Sequence, residues 1–276
     1  MTEPFFPNQS PAIMQMEQKF RAEAGKLPER SRLNLYEIFS SCLPSFTPTM
    51  FYIAGAMVLA NQRGREIAFP SPVPLVKLSH IIFGYEEWLA RKYCLPGFVE
   101  VEAGDVVIDC GAYVGGFSLG ATKIAAQLHA FEPESRNFAC LRENFLDVEN
   151  IVLNEAGLYS ETRMIGLNIS ASSVEHSLLL PDDGAVIEVR EIKVIALADY
   201  VQQAQIATLD FVKIEAEGVE LEVFEGLRHL RPRKLAIDVS PERNNESPAE
   251  AFRARLIPLG YEIRQRAHVM FARLKK

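Results

Sequence analysis

Two rhythms of apolar positions run along this chain. In the first quarter they recur at helical spacing. Ile13, Met16 and Phe20 fall on one face of a segment that Ser10-Pro11 opens and Gly25 closes. Leu33, Tyr36 and Phe39 form the stripe of a second helix over 29–42. The apolar run 50–60 after Pro48 reads as a third, buried helix, too short to span a bilayer. Residues 1–9 read as disordered. Gly64 marks a turn, 66–69 a short strand, and Pro70, Pro72 and Pro74 end regular structure. A helix over 76–94, broken near Gly84, follows.

From Gly104 the rhythm changes to short apolar strands alternating with helices. Strands are predicted at 106–109, 128–132, 151–154, 209–214 and 234–239, with helices at 116–126, 134–145, 219–227 and 247–259. Such alternation implies a parallel sheet covered on both faces. Residues 158–198 interrupt it. There 163–168 and 188–194 alternate in period two around Pro181-Asp182-Asp183-Gly184, the mark of an inserted β-hairpin or meander. The last two strands, 261–266 and 268–274, are joined so tightly that they must be antiparallel. The predicted fold class is α/β: a Rossmann-like, mostly parallel sheet with an antiparallel C-terminal hairpin, a helical N-terminal extension and linker over 1–75, and the main domain over 76–276 carrying the β insertion.

Composition narrows the function. The 276 residues carry a formal charge of −7 and no dense basic cluster, which argues against a nucleic-acid partner. Arg228, Arg231, Arg233 and Lys234 read as a solvated helix end. Four cysteines without CxxC spacing suit a reducing compartment, and Cys110 and Cys140 lie in apolar surroundings as core fillers. With no signal-peptide pattern and no membrane span, the expected location is cytoplasmic.

The chemistry concentrates at the first two strand ends. The strand ending in Asp109 runs into Cys110-Gly111-Ala112-Tyr113-Val114-Gly115-Gly116-Phe117-Ser118, and the next ends at Glu132-Pro133. Gly111 and Gly115 are four apart, so the G-x-G-x-x-G spacing of a pyrophosphate site is missing. A carboxylate at the strand end would repel pyrophosphate but suits a sulfonium and an amino group. The site therefore reads as one for S-adenosylmethionine. Asp109 is expected to orient the methionine portion, with backbone contacts from Gly111, Ala112, Tyr113 and Gly115, and Phe117 and Ser118 are also placed at the cofactor. Glu132, 23 residues after Asp109, is expected to accept both ribose hydroxyls beside Pro133. The third strand ends at Asn154-Glu155-Ala156, where Glu155 and Ala156 are placed against the adenine.

At this point the chain resembles the FkbM-type methyltransferases, from near Gly84-Tyr85-Glu86 to about Pro241. The resemblance rests on four pieces in order. They are Ala103-Gly104-Asp105-Val106-Val107-Ile108-Asp109-Cys110-Gly111-Ala112-Tyr113-Val114-Gly115, then Ala130-Phe131-Glu132-Pro133, then Leu141 with Asn144, and Asp210-Phe211-Val212-Lys213-Ile214-Glu215-Ala216-Glu217-Gly218-Val219-Glu220 with Gly226 beyond. Tyr113 stands where the family usually has Asn, Glu215 where it has Asp, and Asp238-Val239-Ser240 where it tends to have Glu. The resemblance implies methylation of hydroxyls on sugars and polyketide-type natural products, and a closing role for Tyr85 and Glu86 over the cofactor.

Methyl transfer to a hydroxyl needs alignment and a base or a metal. Lys213, Glu215 and Glu217 share a face if their strand stays regular, and Asp238 ends a neighbouring strand. Glu215 is assigned to positioning, and Glu217 or Asp238 to the base. Glu220 is read as a helix N-terminal carboxylate. Mg²⁺ held by Glu215, Glu217 and Asp238 is an open alternative, but no metal is assigned. Among the histidines, His176 in the insertion is read as a loop residue, and His129 and His268 as core or edge residues. The expected partner is a small-molecule or glycan acceptor, with no nucleic acid and no membrane, and the extension is the candidate homodimer surface. N-methylation, a protein or nucleic-acid substrate, and a non-catalytic cofactor-fold scaffold stand as alternatives.

Overall fold

In a computed structural model, which describes residues 11–42, 44–170 and 186–275, the alternating half of the chain builds one seven-stranded sheet. Its strands are β4 (Val106–Cys110), β5 (Gln127–Phe131), β6 (Ile151–Asn154), β10 (Phe211–Ile214), β11 (Lys234–Asp238), β12 (Tyr261–Arg266) and β13 (Val269–Leu274), in the order β12-β13-β11-β10-β4-β5-β6. β11, β10, β4, β5 and β6 pair in parallel, while β13 is antiparallel to both β11 and β12. The chain moves outward from β4 in one direction and returns to β10 on its other side, so the strand order reverses between β4 and β10. A ligand crevice forms at such a reversal, outside the carboxyl ends of the strands.

Successive strand residues serve opposite faces. Val107 joins one apolar core and Ile108 the other. The helices α5 (Gly116–Ala121), α6 (Ser135–Asn144), α8 (Glu220–Glu225) and α9 (Ala249–Leu256) fall within the predicted segments. A short α7 (Leu197–Gln203) and β7 (Gly157–Tyr159) were not predicted. In the insertion, β8 (Arg163–Ser170) and β9 (Val186–Ala196) pair antiparallel, and β7 joins β9 in parallel. His176 and the turn at 181–184 lie outside the described residues, as do Ser10 and 1–9.

The N-terminal part begins as predicted, with α1 (Pro11–Ala24) and α2 (Glu29–Ser40). The third helix is a correction. Residues 49–70 form an antiparallel meander of β1 (Thr49–Ala54), β2 (Met57–Gln62) and β3 (Arg65–Pro70). Gly55, with φ +61°, turns the chain in the middle of the apolar run, and the run alternates faces: Phe51 is buried while Met50 and Tyr52 are exposed. α3 (Leu75–Ile82) and α4 (Tyr85–Tyr93) follow, broken at Gly84 as expected. Leu33, Tyr36, Phe51, Phe69 and Leu78 belong to the same core as Val107 and Leu128 of the main sheet. Asn144 joins the two parts. Its amide accepts from Ala68 N at 2.7 Å and donates to Ala68 O at 3.1 Å and Val114 O at 2.8 Å.

Arg233 and Lys234 also differ from expectation. They do not form a solvated helix end. Lys234 is buried with its ammonium 2.7 Å from Asp105 Oδ2, and Arg233 pairs with Asp105, Glu102 and Asp210 beneath the amino ends of the strands. Asp105 is fully buried, so it needs that neutralisation. Replacing Lys234 by Met should lower unfolding free energy by about 3–5 kcal/mol, the cost of stranding one partner of a buried pair. Urea melts would read this as a lower midpoint at unchanged slope.

Candidate functional site

A ladder of alternating charge underlies the crevice. β4 and β10 pair so that Asp109 stands beside Lys213, and β10 and β11 pair so that Asp238 follows one position beyond the last paired residues. Lys213 Nζ lies 3.0 Å from Asp109 Oδ1 and 3.2 Å from Glu215 Oε2. Glu215 Oε1 meets Lys92 Nζ of α4 at 2.7 Å, and Lys92 meets Asp238 Oδ2 at 2.9 Å. Both ammoniums lie over the ring of Tyr93, at 4.8 and 5.1 Å from its centroid.

Burial opposes charge on the two lysines, but the neighbouring carboxylates outweigh it and hold both ammoniums above the ordinary lysine range. Burial would likewise raise Glu215, and Lys92, Lys213 and Lys77 bring it well below the usual carboxylate range.

The ladder shapes the first turn. Lys213 Nζ donates to the carbonyls of Cys110 at 3.1 Å and Gly111 at 2.7 Å. Gly111 has φ +72°, and a Cβ there would sit 1.8 Å from the Glu215 carbonyl oxygen, so only glycine fits. Tyr113 adopts φ +53°, and its N–H donates to Glu132 Oε2 at 2.9 Å.

Above this turn opens a cleft at the carboxyl ends of the strands. Gly111, Tyr113, Glu132, Pro133, Glu215 and Glu217 of the predicted residues line it. Glu132 Oε1 accepts from Glu134 N at 2.9 Å and Asn137 Nδ2 at 3.3 Å. Burial nonetheless pushes its carboxyl up to about 7. Glu217 has φ +49°, because the strand ends at Ile214 and the chain turns before α8. It still faces the cleft, and burial together with Glu215 raises its carboxyl to about 8. Glu220 behaves as expected, its Oε1 accepting from Ala216 N at 2.8 Å and Gly218 N at 3.2 Å.

Other predicted residues are placed elsewhere. Asp109 is wholly buried beneath the turn, where Ser118 Oγ donates to its Oδ2 at 2.7 Å, so it supports the loop and does not line the cleft. Ala112, Gly115 and Phe117 are packed inside: Phe117 meets Tyr93 and Phe211, and the α-carbon of Gly115 faces Leu141 and Phe145. Glu86 sits on α4, paired with Arg65 at 2.7 Å and with Lys123, which ties β3 and the turn after α5 to α4 away from the cleft. Glu155 is exposed and Ala156 is in the core, and their neighbours Gly157 and Leu158 form the wall instead. Asp238 is engaged by Lys92, by Tyr93 Oη at 3.4 Å, and by the N–H of Ser240 at 2.8 Å and its hydroxyl. His129 is a core residue bonded to Tyr200 Oη at 2.8 Å.

The Mg²⁺ alternative also changes. Lys92 bridges Glu215 and Asp238, and among the described residues no group of three or more His, Cys, Asp or Glu side chains is arranged to hold a metal ion. Sequence reasoning missed Lys77 and Asn137, and the apolar wall of Leu158, Leu167 and Ile192. The period-two pattern of the insertion was the one available signal for Leu167 and Ile192. Among the described residues no helix is long and apolar enough to cross a membrane.

Comparison with known proteins agrees with the motifs. Residues 109–264 match the methyltransferase FkbM domain family. The chain is 31% identical over 179 residues to the 31-O-demethyl-FK506 methyltransferase FkbM of Streptomyces tacrolimicus, covering 52% of this chain and 68% of that protein. Among solved structures, methyltransferase FkbM from Methylobacillus flagellatus KT is similar at 18% identity and a TM-score of 0.48, over 72% of this chain and 53% of that one. This chain thus spans about half the length of that structure. An rRNA methylase from Streptococcus thermophilus is similar at 15% identity and a TM-score of 0.38, over 69% and 94% of the two chains.

The buried Glu132 predicts a specific pH dependence. Its carboxyl is raised from 4.5 to about 7 on folding, so its stability contribution is full below pH 4.5 and is lost as pH rises through 7. Glu132→Gln cannot ionise. Its stability relative to the parent should climb between pH 4.5 and 7 by roughly 3 kcal/mol and then level off. Urea titrations across that range would detect a flat difference if Glu132 were freely solvated.

Proposed function

The chain belongs to the methyltransferase FkbM domain family, and on that premise we propose that it transfers a methyl group from S-adenosylmethionine to a hydroxyl of a sugar or polyketide-type natural product. The observation that carries this reading is Glu132. Its carboxylate lies at the tip of the second parallel strand, faces the cleft, and has three donors on its four lone-pair positions. It retains capacity for a ribose hydroxyl, and the apolar wall of Leu158, Leu167 and Ile192 suits a flat adenine ring. The cofactor supplies an electrophilic methyl group on a cationic sulfur. The Glu215 carboxylate on the cleft floor, held ionised by its lysines, suits that charge.

The name of the Streptomyces relative, an O-demethyl compound's methyltransferase, supports oxygen as the accepting atom. Of the two carboxylates expected to remove the proton, Asp238 is held by Lys92. Glu217 is the one raised toward neutral pH while facing the cleft, and we assign it the acceptor proton. Glu215 then positions, and Asp109 and Ser118 keep the turn in shape.

Calorimetry and a radiolabelled-methyl screen against sugar and polyketide alcohols test the proposal. Glu132→Ala should weaken S-adenosylmethionine binding by about 1–3 kcal/mol. Glu217→Gln should bind it as the parent does but lower kcat by roughly 10²–10⁴-fold. An unmodified protein that binds neither S-adenosylmethionine nor its demethylated product would overturn the assignment.

A further inference from the structure

The cleft also contains a cation, Lys77 of α3, which lines it together with Gly111, Tyr113, Glu215 and Glu217. It is half-buried. Among the described residues its ammonium makes no hydrogen bond or ion pair, and its close partner is the face of the Tyr113 ring, 5.0 Å from the centroid. The contrast with the other two lysines at this end of the sheet is sharp. Lys92 and Lys213 each touch two carboxylates.

We infer that Lys77 pairs with the carboxylate of the methionine portion of S-adenosylmethionine. The inference deepens the cofactor reading above and rests on it. The methionine portion carries three charges close together: a sulfonium, an ammonium and a carboxylate. The Glu215 carboxylate on the floor favours the two cations and repels the anion. A cation that meets its carboxylate fixes the zwitterion's orientation, and Lys77 is the lysine lining the cleft that the ladder leaves available.

Burial pushes the Lys77 ammonium below the ordinary lysine range. Glu215 and Glu217 oppose that shift, while Lys92 and Lys213 add to it. On its own helix His80 is stacked on Trp88 at 3.8 Å, and burial keeps its imidazole neutral, so it offers Lys77 no countercharge. An incoming carboxylate would relieve this desolvated cation, and a ligand without one would leave the cost in place.

The test is a cycle between the side chain and the ligand group. Calorimetry compares S-adenosylmethionine with its decarboxylated analogue, which keeps the sulfonium and the amine, on the parent protein and on Lys77→Met and Lys77→Arg. The parent should prefer the intact cofactor at least tenfold. Lys77→Met should lose that preference through weaker binding of S-adenosylmethionine, while its unreduced affinity for the analogue shows that it is folded. Lys77→Arg should recover part of the preference. A Lys77→Met protein that keeps the full preference overturns the inference. A parent that binds neither ligand overturns the cofactor reading itself.

Discussion

A buried charge cannot stand alone, and the site is organised around that rule. Asp109, Lys213, Glu215, Lys92 and Asp238 alternate in sign across the tips of three adjacent strands and one helix. Each member neutralises the next. Because Lys213 also donates to the carbonyls of Cys110 and Gly111, the ladder holds the first turn against the neighbouring strand. The close approach of Glu215 O to Gly111 follows from the same contact and demands a glycine there. The cleft is shaped by an electrostatic framework lying under it, and most of the charged groups near it support its walls and are not free to touch a ligand.

The N-terminal elements take part in this arrangement. Their apolar residues share a core with the first strands of the sheet, and Asn144 fastens β3 to the loop that follows Tyr113. α3 and α4 then deliver Lys77 and Lys92 to the crevice from outside the alternating βα pattern. On the opposite side, the insertion contributes Leu167 and Ile192 to the cleft. The parallel sheet thus supplies the polar end of the site, and flanking segments supply a cation and an apolar wall.

The parallel sheet was legible because buried strands must be apolar on both faces and must end in turns, and both leave marks in sequence. The apolar run 50–60 was misread because a short apolar run fits a buried helix and a strand equally well by period. Gly55 decided for the strand, since its left-handed backbone turns the chain and lets β2 return along β1. Glu86 and Arg233 were misread for another reason: the residues that neutralise them, Lys123 and Asp105, are remote in sequence.

Sequence by itself determined the strands of the main sheet with the helices α5, α6, α8 and α9, the glycines of the first turn, and the presence of acidic residues at successive strand ends. Those are local requirements, imposed by backbone conformation and by burial of each element. Tertiary structure alone decided which acids stay available. Asp109, Glu215 and Asp238 found lysines from other elements, whereas Glu132 and Glu217 were left facing the cleft. An ion pair is formed by whatever the fold brings within about 4 Å, a distance that carries no trace in the linear order of residues.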